Sequence, residues 1–401
     1  MKKLTLLCAA LLLGGPIQQL FAQEELEDSR HEPEPITLEA IARFDMEPQI
    51  ALHNDVRERV RAHNNMNGKD GFYANSSVYT HFEGDIIPGL HFNLVNHWLC
   101  GTGDGIVSLY KNAWTTENNW CDYATLSYEF PFGLKFTAGK ECLAVATYEY
   151  EPYDYDCHPL LCSGMWNNFN AYQLGAKASW CFSDTREVGF QVSSSPFNYK
   201  PFSEGLFAYS LYGFFDKNPE DELGFSGRVA LNAMQFEKKV AGDPASRNGF
   251  VWMPSLGLRL DVNDFWVGLD AAARFASESS YFGPKDPQPI REGNVILNLG
   301  YAFEDDFEVF ARAGWEPCHG TYSFLNYYEY TVDEETGEEY AVPFPKNTGF
   351  CGGVGINWYP LTDSQDLRVH AVVGGSNYAR SLAFNIGITY FFKPLQLFAR
   401  K

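Results

Sequence analysis

The chain has 401 residues, a formal net charge of −21 at pH 7, 16% aromatic residues and 35 glycines. Together with a mean hydropathy below zero, this composition argues against leucine-rich helices and suits strands that alternate apolar and polar side chains. A soluble chain of this length would usually divide into two or more domains around separate cores.

Residues 1–22 have the layout of a secretory signal peptide. Lys2 and Lys3 precede an apolar run that is too short for a spanning helix, and the small residue Ala22 marks the expected cleavage point. The sequence therefore predicts an exported chain. Cleavage would remove two lysines and no acid, so the mature charge would be −21 − 2 = −23.

Residues 23–34 are acidic and carry prolines, and we interpret them as a periplasmic lead-in. A transmembrane β-barrel is predicted over 35–394, because apolar residues recur with a period of two. From Phe265 to Phe275, for example, every second residue is apolar, and the residues between them include Trp266, Asp270 and Arg274. Each run has about the ten residues that a tilted strand needs to cross a bilayer. Residues 395–401 are predicted to be a C-terminal tail.

The connections alternate between tight turns and long loops. The predicted turns include Glu83–Asp85, Pro131–Gly133, Ser183–Thr185 and Asn263, and the long loops include 48–70, 99–121, 143–167 and 318–347. Short turns on one rim and long loops on the other are typical of outer-membrane barrels. The predicted fold is all-β, an antiparallel barrel of about 16 strands with short periplasmic turns and long extracellular loops. Such a barrel is wide enough for an aqueous channel. The strands are predicted near 35–47, 71–82, 86–98, 122–131, 133–142, 168–182, 186–195, 204–216, 222–236, 248–262, 264–276, 292–304, 307–317, 348–360, 366–376 and 382–394.

Six arginines fall on the inward side of the predicted strands. A charge facing lipid at mid-depth would cost about 2–4 kcal/mol, so the lumen is the favourable place for them. They could form a basic, solute-selecting pore lining, or simply pair with acids such as Asp45, Asp261 and Asp270; the two interpretations are compatible. These arginines are Arg43, Arg228, Arg259, Arg274, Arg312 and Arg368.

The third long loop carries four acids, Glu149, Glu151, Asp154 and Asp156. By analogy with other barrels of this kind, we expect the loop to fold inward and form a constriction opposite the arginines. The alternative is a solvated loop that stays outside the barrel.

Six cysteines bracket or lie within long loops, which suggests disulfide bonds within three pairs: Cys100 with Cys121, Cys157 with Cys162, and Cys318 with Cys351. The alternative is a metal site that uses the Cys157–His158 and Cys318–His319 pairs. It lacks the spacing of zinc motifs, and no metal site is predicted.

Several segments resemble Gram-negative porins related to the phosphate-selective porins O and P. They are residues 126–156, 166–180 and 189–197, with shorter likenesses at 38–45 and 385–392. The resemblance implies a sixteen-stranded homotrimeric diffusion channel. Phosphate selectivity does not carry over, because inward lysines are few and the third loop is acidic.

The predicted function is an outer-membrane porin of a Gram-negative bacterium that passes small hydrophilic solutes and ions. Its partners would be outer-membrane lipid and lipopolysaccharide. No enzyme motif is present, and no catalytic residue, cofactor or nucleic-acid partner is predicted. The alternatives are a channel selective for oligosaccharides or anions, an outer-membrane hydrolase, and a structural or adhesin barrel.

Overall fold

The structure is a computed structural model. It describes residues 33–46, 49–51, 77–102, 105–107, 121–149, 163, 165, 171–198, 201–218, 223–239, 242, 247–279, 288–303, 306–319, 328–332, 339–343, 348–361, 364–376 and 381–398.

One large antiparallel sheet contains 18 strands, and two of these are three-residue extensions, which leaves sixteen in the barrel wall. In chain order the wall strands are β1 Ile36–Met46, β2 Ser77–Ile87, β3 Leu90–Thr102, β4 Cys121–Glu129, β5 Leu134–Cys142, β6 Tyr172–Ser183, β7 Arg186–Ser194, β8 Phe207–Phe215, β9 Leu223–Glu237, β10 Gly249–Val262, β11 Phe265–Ser279, β12 Gln288–Phe303, β13 Phe307–His319, β14 Thr348–Trp358, β15 Leu367–Ser376 and β16 Ser381–Phe398.

Each strand pairs with the next along the chain, and β16 pairs with β1 to close the barrel. The closing register runs from Ile36 opposite Phe398 to Met46 opposite Ile386. Closure satisfies the backbone hydrogen bonds of both edge strands, which a membrane requires. The predicted fold, an antiparallel transmembrane barrel of about sixteen strands, is confirmed.

Four short strands lie outside this set. Gln49–Ala51 extends the β1 side of β16, and Gly105–Val107 folds back on β3. Tyr328–Val332 and Glu339–Pro343 form a separate two-stranded sheet within 318–347, which is the seventh of the predicted long loops in chain order. The sequence did not predict these strands.

The two faces of the wall differ in chemistry, as the period of two predicted. Outward positions carry exposed apolar side chains such as Leu211, Leu269 and Leu297, with exposed fractions of 60%, 41% and 42%. Inward neighbours such as Ser210, Asp270 and Asn298 are fully buried. An apolar outer surface of this kind matches a lipid environment.

The rim that carries the tight turns is called the short-turn rim. Turns lie at Pro88–Gly89, Pro131–Gly133 and Asn263–Asp264. Asn263 and Gly133 have positive φ values of 50° and 89°, as tight hairpins require. The prediction of a turn at Glu83–Asp85 was wrong, because these residues continue β2. The last strand also runs to Phe398, beyond its predicted end near 394.

In the described part of the chain, no helix is both long enough and apolar enough to cross a membrane.

Candidate functional site: the barrel interior

The start of the third long loop lies against the inner wall of the barrel. After β5, the backbone N–H of Ala144 donates to Gln191 on β7, at 3.2 Å. The N–H of Ala146 donates to Ser255 on β10, at 3.0 Å, and that of Tyr148 donates to Asp270 on β11, at 2.7 Å. Alternate N–H groups thus bond to three different strands. The segment Leu143–Glu149, called the inner segment, therefore runs across the strands in an extended conformation.

Two side chains anchor the far end of the inner segment. The Tyr148 hydroxyl donates to Asp216 at 2.9 Å, and the guanidinium of Arg228 lies 4.3 Å from the centre of the Tyr148 ring. Glu149 forms an ion pair with Arg312 on β13, with 2.5 Å between Oε1 and Nη2. It also accepts hydrogen bonds from the backbone and hydroxyl of Ser163. Both charged side chains of this pair are almost fully buried.

An apolar cluster inside the barrel packs against both ends of the loop. Leu143 and Met165, which belong to the loop, are each 1% exposed and contact wall residues that include Met234, Met253 and Ile290. The backbone N–H of Met165 also donates to Glu316 on β13, at 3.2 Å. Hydrophobic burial therefore supplements the polar anchors of the inner segment.

Gly257 on β10 makes room for the inner segment. A Cβ at this position would lie 2.9 Å from the Tyr148 ring and 3.0 Å from the carbonyl oxygen of Ala146. A Cβ at Gly268, on the inward side of β11, would have its nearest neighbour at 3.7 Å. The close approach of the two backbones thus depends on glycine at position 257.

Five of the six predicted arginines pair with acids inside the barrel. The pairs with Asp45 and Asp261 were among those expected within the wall, and those with Asp216 and Glu292 were not. The ion pairs are Arg43–Asp45, Arg228–Asp216, Arg259–Asp261, Arg274–Glu292 and Arg312–Glu149. The guanidinium of Arg368 lies 5.2 Å from the centre of the Phe391 ring. The positive charge on the wall is therefore largely compensated.

Accessibility divides these arginines into two groups. The side chains of Arg43, Arg274 and Arg312 are at most 5% exposed, whereas those of Arg228 and Arg259 are 17% and 26% exposed. Only the second pair presents much surface to a solute in the lumen.

A polar cluster that the sequence did not reveal lies at the closing seam of the barrel. Asp45 on β1 lies 3.2 Å from His370 on β15, and Asn385 on β16 bonds to both. A Cβ at Gly387 would overlap the Asp45 carboxylate. The alternation along each strand places these side chains on the inner face of the wall, but only the register of the strands shows that they meet.

The predicted pairing of Cys318 with Cys351 was wrong. Cys351 lies opposite Gly314 on β13, four positions from Cys318, and the two are not joined by a disulfide. Four strand positions span roughly 13 Å, beyond the reach of a disulfide. Cys121 also has no disulfide and lies opposite Asn96, not Cys100.

The remaining predicted site residues lie outside the described part of the chain. They are Glu151, Asp154, Asp156, Cys157 and Cys162, together with the side chain of Cys100.

No protein-family model and no curated protein matches this chain. Among solved structures, the chain is similar to the outer membrane channel DcaP of Acinetobacter baumannii, with a TM-score of 0.55, 11% identity and coverage of 89% of this chain and 97% of that one. It is also similar to an anion-selective porin from Comamonas acidovorans, with a TM-score of 0.53, 10% identity and coverage of 90% and 100%.

A third similar structure is the trimer form of OmpT, an outer membrane protein of Vibrio cholerae. It has a TM-score of 0.52, 13% identity and coverage of 90% of this chain and 100% of that one. At these identities the likeness is one of fold, and the fold is that of porin-type outer-membrane barrels. The comparisons do not single out the phosphate-selective group that the sequence resembles.

Proposed function

We propose that this protein is an outer-membrane porin, a passive diffusion channel for small hydrophilic solutes and ions. The observation that carries the proposal is the inner segment, which lies inside a sixteen-stranded wall and bonds to β7, β10, β11 and β13. A barrel of this size encloses an aqueous lumen. The inner segment would narrow this lumen and so form the constriction.

The charge arrangement supports weak ion selectivity. The buried pairs Arg274–Glu292 and Arg312–Glu149 are electrically neutral as pairs. The more exposed Arg228 and Arg259 also have acid partners, Asp216 and Asp261. Ions passing the constriction would therefore meet paired charges of opposite sign rather than a wall that carries charge of one sign. Such paired charges discriminate poorly between cations and anions.

We further propose that the chain resides in the outer membrane as a homotrimer, in contact with lipid and lipopolysaccharide. The apolar outer face supports the membrane location. The trimer form of the similar OmpT structure and the resemblance of residues 126–156 to porins O and P support the oligomer.

The alternatives have less support. A lipid-facing hydrolase would need a histidine on the outer face, and His370 is instead buried at the inner seam. An anion-specific channel would need basic residues free of acid partners in the lumen, and five of the six predicted arginines are paired with acids.

Excision of the third loop tests the constriction. Residues 145–169 are replaced by a short Gly/Ser linker, and single-channel conductance is measured in planar bilayers. The control is an excision of equal length within the seventh loop, whose strands Tyr328–Val332 and Glu339–Pro343 form a two-stranded sheet separate from the sheet of the wall. Conductance should rise on the first excision and stay unchanged on the second. An unchanged conductance after excision of the third loop, in a correctly folded barrel, would refute the constriction.

A further inference from the structure

Three side chains from separate segments meet at the short-turn rim. Glu34 precedes β1, Asp85 lies near the end of β2, and His91 lies near the start of β3. One oxygen or nitrogen atom from each lies within 4.8 Å of the others. The Nδ1 atom of His91 is 3.1 Å from Asp85 Oδ1 and 3.5 Å from Glu34 Oε2.

These separations match those of metal ligands. Zinc binds imidazole nitrogen and carboxylate oxygen at about 2.1 Å in tetrahedral sites, so neighbouring ligand atoms lie about 3.4 Å apart. The two distances from His91 bracket that value. The imidazole also distinguishes the candidate metals, because Ca²⁺ and Mg²⁺ prefer ligand sets made entirely of oxygen.

The backbone holds two of these ligands in place. The N–H of Glu34 donates to Asp85 Oδ2 at 2.9 Å, and the N–H of Asp85 donates to the Glu34 carbonyl at 3.2 Å. Gly84, with a φ of +143°, lets this part of β2 approach the chain before β1, since a Cβ there would lie 2.6 Å from the Cα of Ile36.

The surroundings of the cluster favour a cation. Glu83 lies 4.0 Å from the other ring nitrogen of His91 and 3.1 Å from His81. In the part of the chain that the structure describes, these two imidazoles are the only basic groups within ion-pair distance of the three carboxylates. The side chains of His91 and Glu34 are 26% and 68% exposed, so an ion can reach them from solvent.

We propose that Glu34, Asp85 and His91 bind a divalent transition metal ion of the Zn²⁺ class at the short-turn rim. With three protein ligands, the fourth tetrahedral position is left to water. The bound ion would join the segment before β1 to the β2–β3 hairpin. This inference does not depend on the channel function.

The test measures metal bound to the purified full-length protein in detergent. After chelation and dialysis against micromolar Zn²⁺, bound zinc is counted by mass spectrometry for wild type, H91Q, D85N and the control D264N. Asp264 lies in another turn of the same rim. D264N therefore removes one carboxylate charge from the rim, as D85N does, but leaves the three proposed ligands in place. Heat-dependent migration on gels verifies that each variant is a folded barrel.

Wild type and D264N should each bind one more equivalent of zinc than H91Q and D85N. Co²⁺ should give visible absorption bands in wild type that H91Q lacks, and excess Mg²⁺ should not displace it. Equal zinc in wild type, H91Q and D85N would overturn the proposal, as would a D264N variant that loses the same equivalent.

Discussion

The ion pair between Glu149 and Arg312 provides a sharp test of the constriction. Its side chains are 2% and 1% exposed, and the carboxylate also accepts two hydrogen bonds from Ser163. The variant E149Q keeps the shape of the side chain but leaves Arg312 without this anion. The variant R312Q leaves Glu149 without this cation.

The expected magnitude follows from the burial of the pair. Removing one partner of a buried ion pair costs about 3–5 kcal/mol, because the other charge stays desolvated. Since 1.4 kcal/mol corresponds to a factor of ten, the equilibrium between the docked and undocked inner segment should shift by about 10²–10⁴-fold toward undocking. The double variant E149Q/R312Q removes both charges and should shift this docking equilibrium much less.

The assay is the reversal potential of single channels in a KCl gradient, recorded with their conductance. E149Q should shift selectivity toward anions and R312Q toward cations, while the double variant stays near wild type. Shifts of the same sign in both single variants, or no shift in either, would refute the placement of this pair at the constriction.

Three further predictions concern stability. Asp45→Asn should lower the unfolding temperature of the barrel in detergent, because Asp45 is fully buried between Arg43 and His370 and its loss leaves a buried cation, at a cost of about 3–5 kcal/mol; an unchanged temperature would contradict the seam cluster. Gly257→Val should destabilise the barrel by about 1–3 kcal/mol through overpacking, whereas Gly268→Val, where a Cβ has room, should cost less in the same urea titration. Leu269→Arg should cost about 2–4 kcal/mol in folding into lipid vesicles, because Leu269 is the fifth of the fifteen residues of β11 and faces outward. A cost below about 1 kcal/mol would contradict that orientation.

The wall of the barrel was predictable because each strand carries its own signal. In β11, apolar residues from Phe265 to Phe275 alternate with residues that are polar or small, except for Trp266, and the observed strand begins at Phe265. The period of two is set by backbone geometry, so successive side chains point to opposite faces of the sheet whatever their chemistry. The strand count, the pairing of neighbours and the inward side of the arginines followed from it.

The turn between β2 and β3 was misplaced for a physical reason. The sequence Glu83–Gly84–Asp85 has turn-forming residues, but here Gly84 allows a close approach to the chain before β1 and the acids meet His91. The turn falls instead at Pro88–Gly89. Local propensity could not reveal a contact with a residue 51 positions earlier, such as that between Asp85 and Glu34.

The partners of the inward charges depend on long-range contacts that a sequence does not display. Arg259 and Asp261 are two residues apart on β10, so their pairing was foreseeable. Arg312 and Glu149 are 163 residues apart and meet only because the inner segment runs along the inner wall from β5 to β13. The predicted pair of Cys318 with Cys351 failed for a similar reason, since bracketing a loop does not bring two thiols to the same register position.

The most direct test of the central claim is a recording of the purified full-length protein in a planar lipid bilayer. The proposal predicts discrete conductance steps that grow with salt concentration, show weak ion selectivity and appear in groups of three. A correctly folded barrel that gives no steps at any salt concentration or voltage would contradict it.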